Sequence, residues 1–112
     1  MKTAKNTTTN RSATIKWESQ FKDKEGTTKH PPKAEILDVR VFPEGIVPGY
    51  VNYGRGETVS IAEFETTKVF ISVSMPCLKE ELPYAMKFVT SVVENELAKA
   101  LEDIEKMYLN ND

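Results

Sequence analysis

The chain has very few of the residues from which catalytic and metal centres are built. Its 112 residues include one cysteine and one histidine. A single Cys77 excludes an internal disulfide and any Cys-x-x-Cys metal motif. A zinc site at His30 would have to recruit carboxylates for its other ligands, and none is expected. His30 sits in a polar, proline-containing stretch with no nucleophile beside it, which argues against a Ser-His-Asp arrangement. Glycine is also scarce, and Gly54-Arg55-Gly56 is too short for a phosphate-binding fingerprint and opens no helix. It reads as a turn. There is no run of about 18 apolar residues and no charged-then-apolar leader, so a soluble, cytoplasmic protein is expected.

Cys77 falls between a strand and a helix. A thiol at a helix N-terminus is acidified and can act as a nucleophile, but a lone cysteine in that position is more often a small buried hydrophobe. Glu63 with Glu65 reads as a strand edge, and Glu80 with Glu81 as a helix cap. These readings leave no catalytic constellation, and a non-enzymatic protein without a cofactor is expected.

What the chain does have is a strand-rich stretch followed by one long amphipathic helix. Over residues 67–75, Val69, Ile71, Val73 and Met75 alternate with Lys68, Phe70, Ser72 and Ser74, the period-two pattern of a half-buried strand. Thr58-Val59-Ser60-Ile61 also alternates, and Ala62-Glu63 turns the chain before Phe64, which predicts a hairpin or a sharply bulged strand. Pro76 has no N–H to donate and is expected to end the sheet. Lys79-Glu80-Glu81-Leu82-Pro83 then reads as a helix start, with carboxylates at the positive end of the dipole and proline in the first turn. Leu82, Met86, Val89, Val93, Leu97, Ala100, Leu101, Ile104 and Tyr108 mark one stripe.

Upstream, residues 1–11 read as a flexible basic arm and residues 12–112 as a single domain. Residues 12–18 predict a first strand with Ala13, Ile15 and Trp17 on one face. Residues 19–33 predict a long polar loop, or the tip of a long hairpin turning at Glu25-Gly26. A second strand follows over residues 34–42, with Leu37, Val39 and Val41 inward and Asp38 and Arg40 outward. Two turns at Pro43-Glu44-Gly45 and Pro48-Gly49 lead to a short strand over residues 50–53. The expected fold is α+β: an antiparallel sheet of four or five strands packed against one long C-terminal helix.

A helix of about 30 residues would be roughly 45 Å long, longer than the diameter of roughly 35 Å expected for a compact domain of this size. Its last turns would then overhang, and a homo-oligomer, with a dimer favoured, is expected to cover them. Net charge is −2 but unevenly spread, with +5 over residues 1–34, −3 over 35–78 and −4 over 79–112. A basic first third can touch phosphates; the acidic helix cannot. The plainer reading is that both charge runs are solvated surface.

One cluster combines aromatic and basic residues: Tyr50, Tyr53 and Arg55 with Lys16, Phe21, Lys22 and Lys24. Rings that stack on bases, flanked by cations that hold the backbone, are what single-stranded nucleic acid requires. Against this, aromatics also pack well on pleated surfaces, and Trp17 shares its face with Ala13 and Ile15, which marks it as core.

The run Val59-Ser60-Ile61-Ala62-Glu63-Phe64-Glu65, the alternating strand, and Met75-Pro76-Cys77 followed by Glu80-Glu81 resemble a group of small, mostly uncharacterised proteins of tailed bacteriophages. In those proteins a strand ending in Pro-Cys leads into a long acidic helix. The resemblance covers about residues 57–105, concerns architecture and carries no catalytic motif. It implies a phage origin, the cytoplasm of the host, and a role in phage DNA metabolism or host interaction. The leading expectation, which rests on the aromatic and basic cluster and not on the resemblance, is an oligomeric protein that binds single-stranded nucleic acid. The alternative is an interaction protein that inhibits a host protein, or sequesters a small nucleotide signal, in a pocket at a subunit interface. No membrane partner is expected.

Overall fold

The computed structural model describes residues 9–109. Along the chain come β1 (Thr9–Asp23), β2 (Gly26–Lys29), β3 (Lys33–Phe42), β4 (Gly49–Ala62) and β5 (Glu65–Cys77), then a 3-10 turn (Lys79–Glu81), α1 (Leu82–Ile104) and a π-helical turn (Glu105–Leu109). All pairings are antiparallel. The sheet order is β2-β1-β5-β4, with β3 also paired to β1. β2 and β3 share one edge of β1: β2 opposite Gln20 to Asp23, β3 opposite Thr9 to Trp17. The chain is thus an α+β protein with a five-stranded antiparallel sheet and one long C-terminal helix. Most of the expected arm over residues 1–11 lies outside the described residues, and Thr9 to Arg11 already belong to β1.

The core is built on one face of the sheet. Ile15, Val51, Val69, Ile71, Val73 and Cys77 meet Ala85, Val89, Val93 and Leu97 of α1. Alternate residues of β5 point to that face because side chains alternate along a strand. The helix contributes residues three or four apart for the equivalent reason. Pro83 lies in the first turn of α1, where its missing N–H costs nothing. The buried stripe is rotated from the expected one: Ala85 is fully buried, whereas Leu82 and Met86 are 46% and 40% exposed. A single methyl at position 85 lets the helix start come close to the sheet, and the larger side chains turn outward.

Three other expectations are corrected. β4 is one continuous strand of 14 residues, so Gly54-Arg55-Gly56 is not a turn. These glycines clear space for a ring: a Cβ on Gly54 would stand 2.6 Å from the Phe70 ring, and one on Gly56 2.9 Å. Pro76 does not end the sheet, since it pairs with Tyr50 and Cys77 pairs with Gly49. Pairing with β1 has already stopped at Ser74, so the proline sits where one side of β5 has no neighbour, a tolerated place. Of the two expectations for residues 19–33, the hairpin turning at Glu25-Gly26 is the one formed, with Gly26 at φ 138°.

Finally, Val39 and Val41 do not point inward. The register shifts between Ala13 and Thr14, which leaves Leu37 as an extra residue in β3. Past this bulge Asp38, Arg40 and Phe42 take the helix side, and Val39 and Val41 the other. Leu37, Val39 and Val41 are 40%, 52% and 57% exposed: the two valines lie on the face that α1 does not cover, and Leu37 is the bulged residue.

The molecule measures 66 × 27 × 20 Å, with a radius of gyration of 18.9 Å. Long hairpins make it longer than the helix, which at 23 residues runs roughly 35 Å. The premise of a helix outrunning its own domain therefore does not hold. Ala100, Leu101 and Ile104 pack against the core, while Met107 and Tyr108 are exposed.

The rotated stripe makes two identical substitutions behave differently. Leu97→Ala is expected to cost about 2–5 kcal/mol by opening a cavity, and Leu82→Ala less than about 1 kcal/mol. Urea denaturation of both variants measures the contrast.

Candidate nucleic-acid interface

Because α1 covers one face only, the opposite face of the sheet has no covering element among the described residues. Ladder partners share a face, so the registers assign its side chains. β1 presents Thr14, Lys16, Glu18, Gln20 and Lys22, and β5 presents Thr66, Lys68, Phe70, Ser72 and Ser74. β4 presents Asn52, Gly54, Gly56 and Thr58. β2 adds Lys29 opposite Gln20. In a chain of net negative charge, Lys16, Lys22, Lys29 and Lys68 here meet two carboxylates, Glu18 within the face and Asp23 at the hairpin end of it.

Phe70 lies at the centre of this face, on the bed left by Gly54 and Gly56 and 37% exposed. Three hollows adjoin one another along it. One of about 570 Å³ lies between Lys22, Lys24, Phe64, Thr66 and Lys68. The next, about 440 Å³, lies between Lys29, His30, Pro32, Lys68 and Phe70. A third, about 340 Å³, runs past Lys16, Asn52, Gly54, Phe70 and Ser72.

Phe64 stands at the tip of the β4–β5 hairpin with φ 63° and is 71% exposed. A bulky residue in the left-handed region is strained by about 1–2 kcal/mol, and here most of the ring lies in water, with one side against the hollow lined by Lys22, Lys24 and Lys68. Strain of this kind gathers at functional positions.

The expected site residues are divided between the two faces. Lys16 and Lys22 are on the open face and exposed, and Lys24 is in the adjoining turn. Tyr50 is half-exposed on the same side but at the far end of β4, opposite Pro76. Phe21 alternates with Lys22, takes the helix side and is partly buried. Trp17 packs on the core with Lys33 Nζ 5.1 Å from its ring centre.

Tyr53 and Arg55 also take the helix side, where both bind Glu94. The tyrosine hydroxyl donates to Oε2 at 2.9 Å, and Arg55 Nη1 donates to both oxygens at 2.6 and 2.8 Å. Arg55 also pairs with Glu57 at 3.7 Å. The hydrogen bond from Arg55, then that from Tyr53, holds the Glu94 carboxyl below the ordinary carboxylate range. The same bond to Glu94 raises the Tyr53 phenol and the Arg55 guanidinium. An arginine held by two carboxylates is a weak candidate for phosphate.

A second clamp joins β3 to the helix start. Arg40 donates to both oxygens of Glu81, each at 2.6 Å, and Glu81 also accepts the Leu78 N–H at 2.8 Å. The Arg40 bond, then the Leu78 bond, lowers the Glu81 carboxyl.

Sequence reading passed over Lys29, Phe64, Lys68 and Phe70 as site residues. Phe70 and Lys68 were visible as the outward half of an alternating strand, but no local pattern says that the outward half stays uncovered. Among the described residues no cluster of His, Cys, Asp or Glu is suited to a metal ion. No buried side-chain polar atom there lacks a hydrogen bond. Cys77 is 4% exposed within the core. No described helix is long and apolar enough to cross a membrane.

The class defined by this architecture is a single antiparallel sheet with a helix on one face and a basic, aromatic-centred surface on the other. No protein-family model, curated protein or solved structure matches the chain.

The two clamps set a pH dependence. Carboxyls whose folded pKa is depressed stabilise the fold above the unfolded value, about 4.3, and that contribution is lost as pH falls through the lower folded values. Stability measured by denaturant titration is therefore expected to decline below about pH 4.3. Arg55→Ala should return the Glu94 titration, followed by carboxyl NMR, towards the ordinary range. An unchanged Glu94 titration in that variant would refute the clamp.

Proposed function

We propose that the chain is a non-enzymatic protein that binds single-stranded nucleic acid along the open face of its sheet. Bases stack on Phe70 and Phe64, and Lys16, Lys22, Lys24, Lys29 and Lys68 hold the phosphates. The carrying observation is the Phe70 ring, set flat on two glycines in the middle of a lysine-bordered, helix-free face. A sheet surface with accessible rings and a cationic border is the platform on which unpaired bases are held. Duplex is less suitable, since its bases are already stacked. Tyr53 and Arg55 leave the proposed site because Glu94 engages both, and Tyr50 extends it at the far end of β4.

The resemblance to small phage proteins supports placing this activity in phage DNA metabolism, in the host cytoplasm. The alternative, an inhibitor of a host protein or a nucleotide-sequestering protein with a pocket between subunits, needed the end of the helix to be uncovered. Ala100, Leu101 and Ile104 pack on the chain's own core, which leaves Met107 and Tyr108 exposed there, a smaller uncovered surface than that alternative needs, and this favours the nucleic-acid reading.

Fluorescence anisotropy with labelled oligonucleotides tests the proposal. Affinity for single strands should exceed that for duplex and fall steeply with salt, each phosphate contact adding about 0.7 to the log–log slope. Phe70→Ala should weaken binding by roughly 5- to 150-fold, from about 1–3 kcal/mol of stacking per base. Lys68→Ala should lower the salt slope, and Arg55→Ala should leave affinity nearly unchanged. Salt-insensitive binding, or loss on Arg55→Ala equal to that on Phe70→Ala, would remove this reading.

Phe64→Gly separates function from stability. Relief of the left-handed strain, less the extra chain entropy of glycine, should raise stability by about 0.5–1 kcal/mol, while oligonucleotide affinity falls. A variant both less stable and unchanged in binding would show that the ring serves the fold.

A further inference from the structure

Two long strands, β3 and β4, have one edge without a partner among the described residues. On the open face β4 carries polar residues and glycine, and α1 packs beneath it. β3 is different: Ile36 is 64% exposed, Val39 52% and Val41 57%. An unpaired, apolar edge strand is a template for another strand.

We propose that β3 pairs antiparallel with β3 of a second copy of this chain, about a two-fold axis between Leu37 and Asp38. In this register Ile36 lies opposite Val39, Ala34 opposite Val41 and Glu35 opposite Arg40, each pair formed twice.

The bulge is what permits this match. In a regular strand residues 36 and 39 lie on opposite faces, whereas residues opposed across an antiparallel pair share a face. Here β1 matches Thr14 to Ile36 and Ala13 to Asp38, leaving Leu37 over. Ile36 and Val39 therefore share the open face, and Glu35 and Arg40 the helix side.

Neighbouring registers fail. A slip of one residue sets Ile36 against Arg40 and Asp38 against its own copy. A slip of two in one direction sets Glu35 against Asp38 and Lys33 against Arg40; in the other it sets Leu37 against Arg40 and forms no ion pair. Like charges directly opposite destabilise a pair, and the proposed register has none; Arg40 keeps its bond to Glu81 and Glu35 joins it as a second carboxylate, so selection rests on the repulsions and mismatches of the other registers more than on this ion pair. One contact opposes pairing: the Val39 N–H donates to its own Asp38 carboxylate at 2.9 Å. Dimer formation exchanges that bond for one across the interface and brings the two Asp38 side chains together at the axis.

The pairing uses neither α1 nor the end of the sheet that carries Lys22, Lys29 and Lys68, and it stands independently of nucleic-acid binding. Size-exclusion chromatography with light scattering on the full chain, across micromolar concentrations, should give twice the mass of 12.7 kDa. Val39→Lys, with its fold checked by circular dichroism, should weaken the dimer by roughly 2- to 30-fold, since two cross-strand apolar pairs on an otherwise open face are lost. Asp38→Ala should tighten it. The double variant Ile36→Cys with Val39→Cys should form an oxidised inter-subunit cross-link, which reads the register even if Val39→Lys fails to fold. A monomer at every concentration, which would leave the edge to a strand of another protein, overturns the proposal. So does a dimer whose affinity is unchanged by Val39→Lys in a folded chain, or one that gives no cross-link.

Discussion

Ile71 and Val73 of β5 meet Val89 and Val93 of α1 with essentially no exposed surface, and the position of every other residue follows from that contact. Each fully buried side chain of this size contributes about 1.5–3 kcal/mol, and the helix has no comparable apolar stripe to offer a second layer. One helix of 23 residues covers β4 and β5 and reaches β1 only through Ile15 and Trp17. The sheet is wider than its cover. It therefore has an open face and an overhanging edge.

Charge is divided by the same geometry. The acidic helix faces the sheet through Glu94, and the helix start does so through Glu81. Each of these carboxylates captures an arginine, Arg55 and Arg40. Half-exposed pairs of this kind add little stability, but they fix orientation: Arg40 ties the edge strand β3 to the turn before α1, and Arg55 with Tyr53 ties β4 to its middle. The strand lysines have no such carboxylate facing them from the helix. Lys16, Lys22, Lys29 and Lys68 stand on the far face, where the field of the acidic helix is screened by solvent and distance. A chain of net charge −2 thus presents a cationic surface.

The open face is itself divided along its length. One end is basic and aromatic, with Lys22, Lys68 and Phe64 at the hairpin tips; the other is apolar, with Ile36, Val39 and Val41 on β3. The first suits a charged, stackable ligand, and the second suits another strand. The two are kept apart by a middle of Thr14, Ser72, Ser74 and Asn52, small polar side chains that favour neither. A molecule 66 Å long has room for both.

Local rules read well wherever a residue's environment is set by its near neighbours in the chain. The alternation of residues 67–75, the proline-bearing helix start, the burial of Cys77 and the core placing of Trp17 were all legible, because period and propensity express which side of an element is apolar. They failed where a distant element decided the outcome. Gly54-Arg55-Gly56 looked like a turn because its reason, the ring of Phe70, lies on another strand. Tyr53 and Arg55 looked free because Glu94 lies 39 or more residues away.

By itself, then, the sequence determined that strands precede one helix and which half of each strand is apolar, since those properties belong to adjacent residues. Only the tertiary structure decided which apolar half is covered, which cations are neutralised and which face stays open. These depend on where one short helix lies on a wide sheet, and no local pattern carries that information.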